Sequence, residues 1–299
     1  MGKIQHVFAA TDLSATSLHA VDRGFQIAKS TDACYTVMHA LGLDALGPLK
    51  SLFGEKADEV TRKAAEHQRS VLQQLLDEPD RNQGVAAHLT IEEGLASTVI
   101  PAYAATTDAD LVLVGAKGQS VWRRLMLGST ASHLLRKSRI PVLVVKNPCS
   151  RPYRRVLVAL DFSPCSVQAI RIAREVAPTA HLVLLNVFEV PFEGMLQYAG
   201  VSQAEIHRYQ AEAHQRALRS LHETANAAGL SQNDYLVIAD HGQAVHKILG
   251  HETLTYCDLI VMGKHGTHVT EELLLGSVTK RVLSESDTDL LVVVDRQMP

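Results

Sequence analysis

The sequence predicts two tandem α/β domains, each a parallel sheet with helices on both faces. Three observations lead there. Short apolar runs alternate with stretches of helical periodicity along the whole chain, and strands apolar on both sides and separated by helices belong to covered parallel sheets. The pattern of one half returns in the other. Gly115-Ala116-Lys117-Gly118, nine residues, Gly128-Ser129 recurs as Gly263-Lys264-His265-Gly266, nine residues, Gly276-Ser277, at a constant offset of 148. A period of that length is the size of a domain, not of a solenoid repeat. Finally, the 299 residues are 46% hydrophobic and 20% charged, an ordinary balance for two buried cores.

In the first half, Val7 to Ala10 reads as a strand, followed by Ser14 as an N-cap and by Leu18, Val21, Phe25 and Ala28 at helical spacing. Tyr35 to Ala40 is the second strand, residues 55–76 a helix, and Ala87 to Ile91 a third strand ending at Gly94. A helix near 96–106 leads into the fourth strand, Leu111 to Val114. Ser129 then opens a helix that stops near Pro141, before the last strand, Val142 to Val145.

The second half repeats these steps. Val156 to Leu160 is a strand, and Ser163 and Pro164 suit the N-cap and first turn of a helix ending near Pro178. Leu182 to Val187, a long helix over 203–228, Tyr235 to Ala239, a helix over 243–255, Leu259 to Met262, a helix from Ser277 and Leu290 to Val294 complete the set. The proline-bearing stretch from Lys146 to Pro152 joins the halves, giving domains 1–147 and 153–299.

Composition excludes several function classes. A net charge of −3 leaves no basic footprint for nucleic acid. No apolar run approaches the ~18 residues of a membrane span, and no signal peptide is read at the N-terminus, so the expected location is the cytoplasm. Cys34, Cys149, Cys165 and Cys257 stand singly, without the pairing of a disulfide framework or a zinc site.

The glycine pattern carries the chemistry. Each copy directly follows an apolar strand, where glycines let backbone N–H groups approach an anion without a Cβ in the way. The third glycine precedes a helix whose unsatisfied N–H groups and dipole favour a phosphate. Ser129 and Ser277 there either add a hydroxyl donor or cap their own helices. The same residues also suit a structural turn. Neither copy is a Walker A loop, and no Gly-x-Gly-x-x-Gly follows strand one.

Asp12-Leu13-Ser14 matches Asp161-Phe162-Ser163 at the end of strand one. These aspartates can accept ribose hydroxyls, hold a phosphate-bound magnesium ion, or cap the following helix. If strands one and four are neighbours, aspartate and glycine cradle share the crevice where strand order reverses.

His241, His246, His251, His265 and His268 read as polar surface residues, since His251-Glu252-Thr253-Leu254-Thr255 lacks the second histidine of a zinc-protease helix. No nucleophile and base pair recurs in both halves, so no catalytic residue is assigned. The first glycine loop carries Lys117, Arg123 and Arg124 and the second Lys264, Glu271 and Glu272, a contrast that predicts different phosphate preferences.

Together, Gly-x2-Gly-x9-Gly-Ser after strand four, Asp-x-Ser after strand one and Asp258-Leu259-Ile260-Val261-Met262-Gly263 leading into the cradle resemble the ATP-binding branch of the universal stress proteins. The resemblance covers residues 1–147 and again 153–296. It implies two Rossmann-like domains of the adenine nucleotide alpha hydrolase type, each a five-stranded sheet of order 3-2-1-4-5. It places adenosine contacts at Asp12 and Ala40, and at Asp161 and Val187. Phosphate contacts fall at Gly115, Gly118, Gly128, Ser129 and Thr130, and at Gly263, Gly266, Gly276, Ser277 and Val278. Ala10 and Ala159 stand where the family sometimes has proline.

The implied ligand is ATP, ADP or AMP with Mg2+, and the implied role a nucleotide-dependent regulator of the stress response, with an unidentified protein partner and at most slow ATP hydrolysis. The last strands, Val142 to Val145 and Leu290 to Val294, are implied to form an intramolecular pseudo-dimer, with a further homodimer as an option. A related hydrolase or ligase would carry Ser-Gly-Gly-x-Asp-Ser after strand one, where this chain has Asp12-Leu13-Ser14-Ala15-Thr16-Ser17. A nucleotide-free structural protein would lack the glycines.

Overall fold

The computed structural model describes residues 3–42, 57–116, 128–190, 199, 201–266 and 275–294. Two compact units result, Met1–Pro152 and Tyr153–Pro299. In the first, β1 (His6–Thr11), α1 (Ala15–Thr31), β2 (Cys34–Leu41), α2 (Ala57–Leu76), α3 (Pro79–Asn82), β3 (Ala87–Glu93), α4 (Ala96–Thr106), β4 (Leu111–Gly115), α5 (Ser129–Lys137) and β5 (Val142–Val145) follow in order. The strands lie as β3-β2-β1-β4-β5, all parallel. The chain therefore builds outward from β1 in one direction and then returns to build outward in the other. The β1/β4 boundary is where order reverses.

Burial explains the apolar runs. Val7, Phe8 and Ala9 of β1 and Leu111, Val112 and Leu113 of β4 are all 0% exposed, as strands covered on both faces must be. The strand starts are pinned as well: Asp110 Oδ2 accepts the N–H groups of Gln5 at 2.9 Å and His6 at 3.1 Å, tying β4 to β1 before the ladder begins. Ser14 caps α1 as read from the sequence, its hydroxyl accepting the Ser17 N–H, a bond worth about 0.5–2 kcal/mol.

The second unit contains β6 (Arg155–Ala159), α6 (Cys165–Val176), β7 (His181–Phe188), α7 (Gln203–Ala228), a 3-10 turn (Gln232–Asp234), β8 (Tyr235–His241), α8 (Ala244–Thr255), β9 (Leu259–Gly263), α9 (Ser277–Glu285) and β10 (Asp289–Val293). Its order is β8-β7-β6-β9-β10, again parallel. Asp258 repeats the role of Asp110, accepting from Arg154 N at 2.9 Å and Arg155 N at 3.1 Å. A capping box of Ser202 and Glu205 starts α7, and Gly229 at φ 86° ends it.

Three local readings differ from the structure. Pro164, not Ser163, is the residue before α6, and no side chain caps that helix. Pro164 already has helical torsions, and the Ser163 carbonyl accepts the Ser166 N–H in a tight turn. The short helix α3, begun by Pro79, was not anticipated. The β3 and β8 strands also run past their apolar cores into the polar ends Glu92-Glu93 and Asp240-His241, because ladder bonds, not side chains, set strand length. Among the described residues, no helix is long and apolar enough to cross a membrane.

Candidate functional site

Both units place their aspartate just past the strand at the order reversal, with the glycine loop after the neighbouring strand. Asp12 and Asp161 are exposed. Each folds back on its own loop: Asp12 Oδ1 accepts from Ser14 N and Asp161 Oδ1 from Ser163 N, both at 3.0 Å. The residue between is left-handed in both units, Leu13 at φ 63° and Phe162 at φ 61°. Bulky side chains rarely adopt this conformation, and it persists only where surrounding bonds hold it.

Those bonds come from the strand ends. His39 Nδ1 donates to the Thr11 carbonyl at 2.9 Å, and Asn186 Nδ2 to the Leu160 carbonyl at 2.8 Å. In the first unit Thr11 Oγ1 also accepts the Leu13 N–H at 3.0 Å, and Ser17 Oγ accepts the Asp12 N–H at 3.2 Å. In the second, Ser166 Oγ instead donates to Asp161 Oδ1 at 3.3 Å. Sequence reasoning missed His39 and Asn186. Their signal was a polar residue at matching places inside apolar strands, each now found buried at 8% and 6% exposure.

The glycine loops close in the same way twice. Ala116 N donates to Val145 O at 2.9 Å and Gly128 N to Ala116 O at 2.8 Å; Lys264 N donates to Val293 O at 2.8 Å and Gly276 N to Lys264 O at 2.9 Å. Gly128 and Gly276 are the N-caps of α5 and α9, with extended ψ angles of 150° and 147° and no side-chain cap. Ser129 and Ser277 are therefore the first helical residues, exposed, and do not cap their own helices. Helix-start N–H groups have no intrahelical partner, and a glycine cap offers none from a side chain. Thr130 and Val278 follow, half-buried.

Close approach explains two glycines differently. A Cβ on Gly115 would lie 2.7 Å from the Ser17 nitrogen and the Thr16 carbonyl carbon, so this glycine lets β4 meet the first turn of α1. A Cβ on Gly266 would lie 3.2 Å from Asp161 Oδ2. The Asp161 carboxylate and the loop of the second unit thus approach one another closely because residue 266 has no side chain. Gly263 lies nearest its own loop, with the His265 carbonyl oxygen 3.2 Å from a Cβ there.

Ala40 and Val187 stand near the ends of β2 and β7, half-buried, paired in register with Glu92 and Asp240. Lys247 Nζ and His251 Nε2 each approach an Asp240 oxygen at 2.9 Å. Burial alone would raise that carboxyl; the hydrogen bonds and charges of Lys247 and His251 outweigh it and hold the group below the ordinary carboxylate range. His251, only 14% exposed and bonded to Asp240, is thus not the surface residue the sequence suggested. Nor is Lys264 a free loop charge, since it is 3% exposed. Gly118, Lys117, Arg123, Arg124, His268, Glu271 and Glu272 lie outside the described residues.

A profile of the Universal stress protein family matches residues 3–146 and again 152–294. A universal stress protein of Mycolicibacterium smegmatis is 28% identical over 303 residues, covering 97% of both chains. A Methanocaldococcus jannaschii universal stress protein is 29% identical over 138 residues, 46% of this chain and 79% of that one. The crystal structure of a universal stress protein from Archaeoglobus fulgidus superposes with a TM-score of 0.69 at 20% identity, over 97% of this chain and 98% of that one, a likeness of fold. With both halves matched by one family and the sheet order of each the same, the chain belongs to the universal stress protein family.

Proposed function

We propose that each unit binds an adenine nucleotide at the carboxyl ends of its strands, and that the chain acts as a nucleotide-dependent regulator in the stress response. The observation that carries this reading is the close approach of Asp161 to Gly266, which brings an acceptor beside an anion-compatible loop. Phosphates would take the N-terminus of α5 or α9, whose glycine caps leave N–H groups for an anion and keep Cβ atoms out of its way. The ribose hydroxyls would donate to Asp12 or Asp161. Ala40 and Val187 would border the base.

The donor set fits a nucleotide better than a protein-held metal. Among the described residues no group of three or more His, Cys, Asp or Glu side chains is arranged for a metal ion. A magnesium ion would therefore arrive with the phosphates and take at most an aspartate oxygen from the chain.

Mass spectrometry of nucleotide released from purified, denatured protein tests ligand identity, and calorimetry with ATP tests stoichiometry. Gly266→Val should remove binding from the second unit while circular dichroism stays native, because a branched side chain would crowd the Asp161 carboxylate. Full stoichiometry in that variant would refute the assignment.

A further inference from the structure

We propose that Thr279 is a positioning residue for the phosphate loop of the second unit: its buried hydroxyl ties the first peptide of the loop to the first turn of α9, so that the two ends of the anion cradle are set before a ligand arrives. This rests on the nucleotide reading above. The loop opens where β9 ends at Gly263 and closes at Gly276, where α9 begins. Thr279, in the first turn of α9, is 4% exposed, and its Oγ1 donates to the Gly263 carbonyl oxygen at 2.9 Å. A helical threonine often returns its hydroxyl to a carbonyl three or four residues back in its own helix. Here the acceptor lies 16 residues back, on the far side of the loop. The same oxygen would lie 3.7 Å from a Cβ on Gly276, so it stands beside both ends of the loop.

The peptide between Gly263 and Lys264 is thereby held at both of its polar groups. Its oxygen accepts from Thr279, and its N–H donates to Val293 O of β10 at 2.8 Å. The next peptide is held too, because the Lys264 carbonyl oxygen accepts the Gly276 N–H. Two of these three bonds recur in the first unit, from Ala116 N to Val145 O and from Gly128 N to Ala116 O. The third does not: the place of Thr279 in α5 is taken by Ala131, which is buried and has no hydroxyl.

Packing explains why only the second unit needs the bond. In the first, Gly115 at the end of β4 is pressed against the backbone of Thr16 and Ser17, which confines the start of its loop. At Gly263 the nearest atoms of α6 are those of the Cys165 side chain, its sulfur 3.7 Å from a Cβ there. A glycine peptide that neighbours do not confine keeps its conformational freedom, and the Thr279 hydroxyl removes it. In the nucleotide reading the phosphates meet both the glycine loop and the N–H groups at the start of α9, and Thr279 sets one against the other. A loop ordered beforehand spares the ligand that cost on binding. One neutral hydrogen bond corresponds to about 3- to 10-fold in an equilibrium constant.

The test is calorimetry on the full chain carrying Gly118→Val, which should block the phosphate loop of the first unit so that the second is read alone. The probes are ATP, inorganic tripolyphosphate, which has the phosphates without the nucleoside, and adenosine, which has the nucleoside without the phosphates. Thr279→Val keeps the shape of the side chain and removes its hydroxyl. It should weaken ATP and tripolyphosphate by about 3- to 10-fold and leave adenosine unchanged. Thr279→Ser, which keeps the hydroxyl, should restore the parent affinities. Should Thr279→Val disturb folding, Thr279→Ser against Thr279→Ala, which differ by the hydroxyl alone, carries the same test. ATP and tripolyphosphate affinities that move by less than about twofold on loss of the hydroxyl would overturn the positioning role and leave nucleotide binding standing. Equal weakening of adenosine would overturn it too, because the effect would not pass through the phosphate loop, and so would a Thr279→Ser variant as weak as Thr279→Val. A folded parent that binds neither ATP nor tripolyphosphate would remove the nucleotide reading and the role of Thr279 with it.

Discussion

Replacing Gly115 and Gly263 by alanine separates two glycines that the repeat makes look interchangeable. At Gly115 the new methyl would sit 2.7 Å from backbone atoms of Thr16 and Ser17, closer than real Cβ atoms approach anything. Neither neighbour is a side chain that can swing away, so α1 itself must shift off β4. At Gly263 the nearest atoms are the His265 carbonyl oxygen at 3.2 Å and the Cys165 sulfur at 3.7 Å, which a few tenths of an ångström accommodate. Overpacking against fixed backbone costs about 1–3 kcal/mol, and a unit of this size loses roughly 2–12 °C of melting temperature for that amount. Gly263→Ala should cost under about 1 kcal/mol. Any gain from restricting the unfolded chain is the same for both variants and cancels in the comparison. Calorimetric melting and urea unfolding of each full-length variant measure the difference. Equal destabilisation, or a larger loss at Gly263, would refute the packing argument.

Three further outcomes follow from particular contacts. Tyr153 donates to the fully buried Asp289 carboxylate at 2.6 Å, so Tyr153→Phe should destabilise the second unit by about 1.5–3 kcal/mol in urea unfolding. Asp240 has a depressed pKa, so its stabilisation is complete above the ordinary carboxylate range of about 3.9 and fades as pH falls through the folded value. Lys247→Met should accordingly be less stable than the parent near neutral pH and converge with it in acid, and a gap that does not change with pH would count against the pairing. In native protein a disulfide reagent should label the exposed Cys34 well before Cys257, whose thiol burial pushes up to about 12; equal labelling rates would contradict that burial.

Most of the fold was legible because apolar periodicity and turn residues agree at every step. Val7 to Ala10 and Leu111 to Val114 announce central strands by being apolar on both faces, and burial is the physical cause of that composition. Sheet order was reached through the family resemblance and not through the pattern, since pairing partners leave no mark on a covered strand. The site was legible in its glycines and aspartates but not in what holds them. Nothing in Leu13 or Phe162 signals a positive φ, because that conformation is imposed by bonds from His39 and Asn186, residues distant in sequence. Of the two roles the sequence left open for Ser129, capping is excluded, because the extended residue one place earlier, Gly128, is the N-cap.

The two halves also separate what the fold requires from what a ligand requires. Asp110 and Asp258, the closure bonds of Gly128 and Gly276, and the bonds from Gly94 N to Leu41 O and Gly242 N to Phe188 O occupy equivalent places in both units. Each satisfies a backbone donor at a strand or loop end, which any sequence adopting this sheet must do. Glycine is needed at the last pair because their φ angles are 139° and 134°. No such backbone demand falls on Glu93 and His241, the last ladder residues of β3 and β8, where the two units carry different side chains. Divergence has gathered there while the framework stayed the same. The units therefore share their backbone framework and differ in the side chains at the carboxyl ends of their strands.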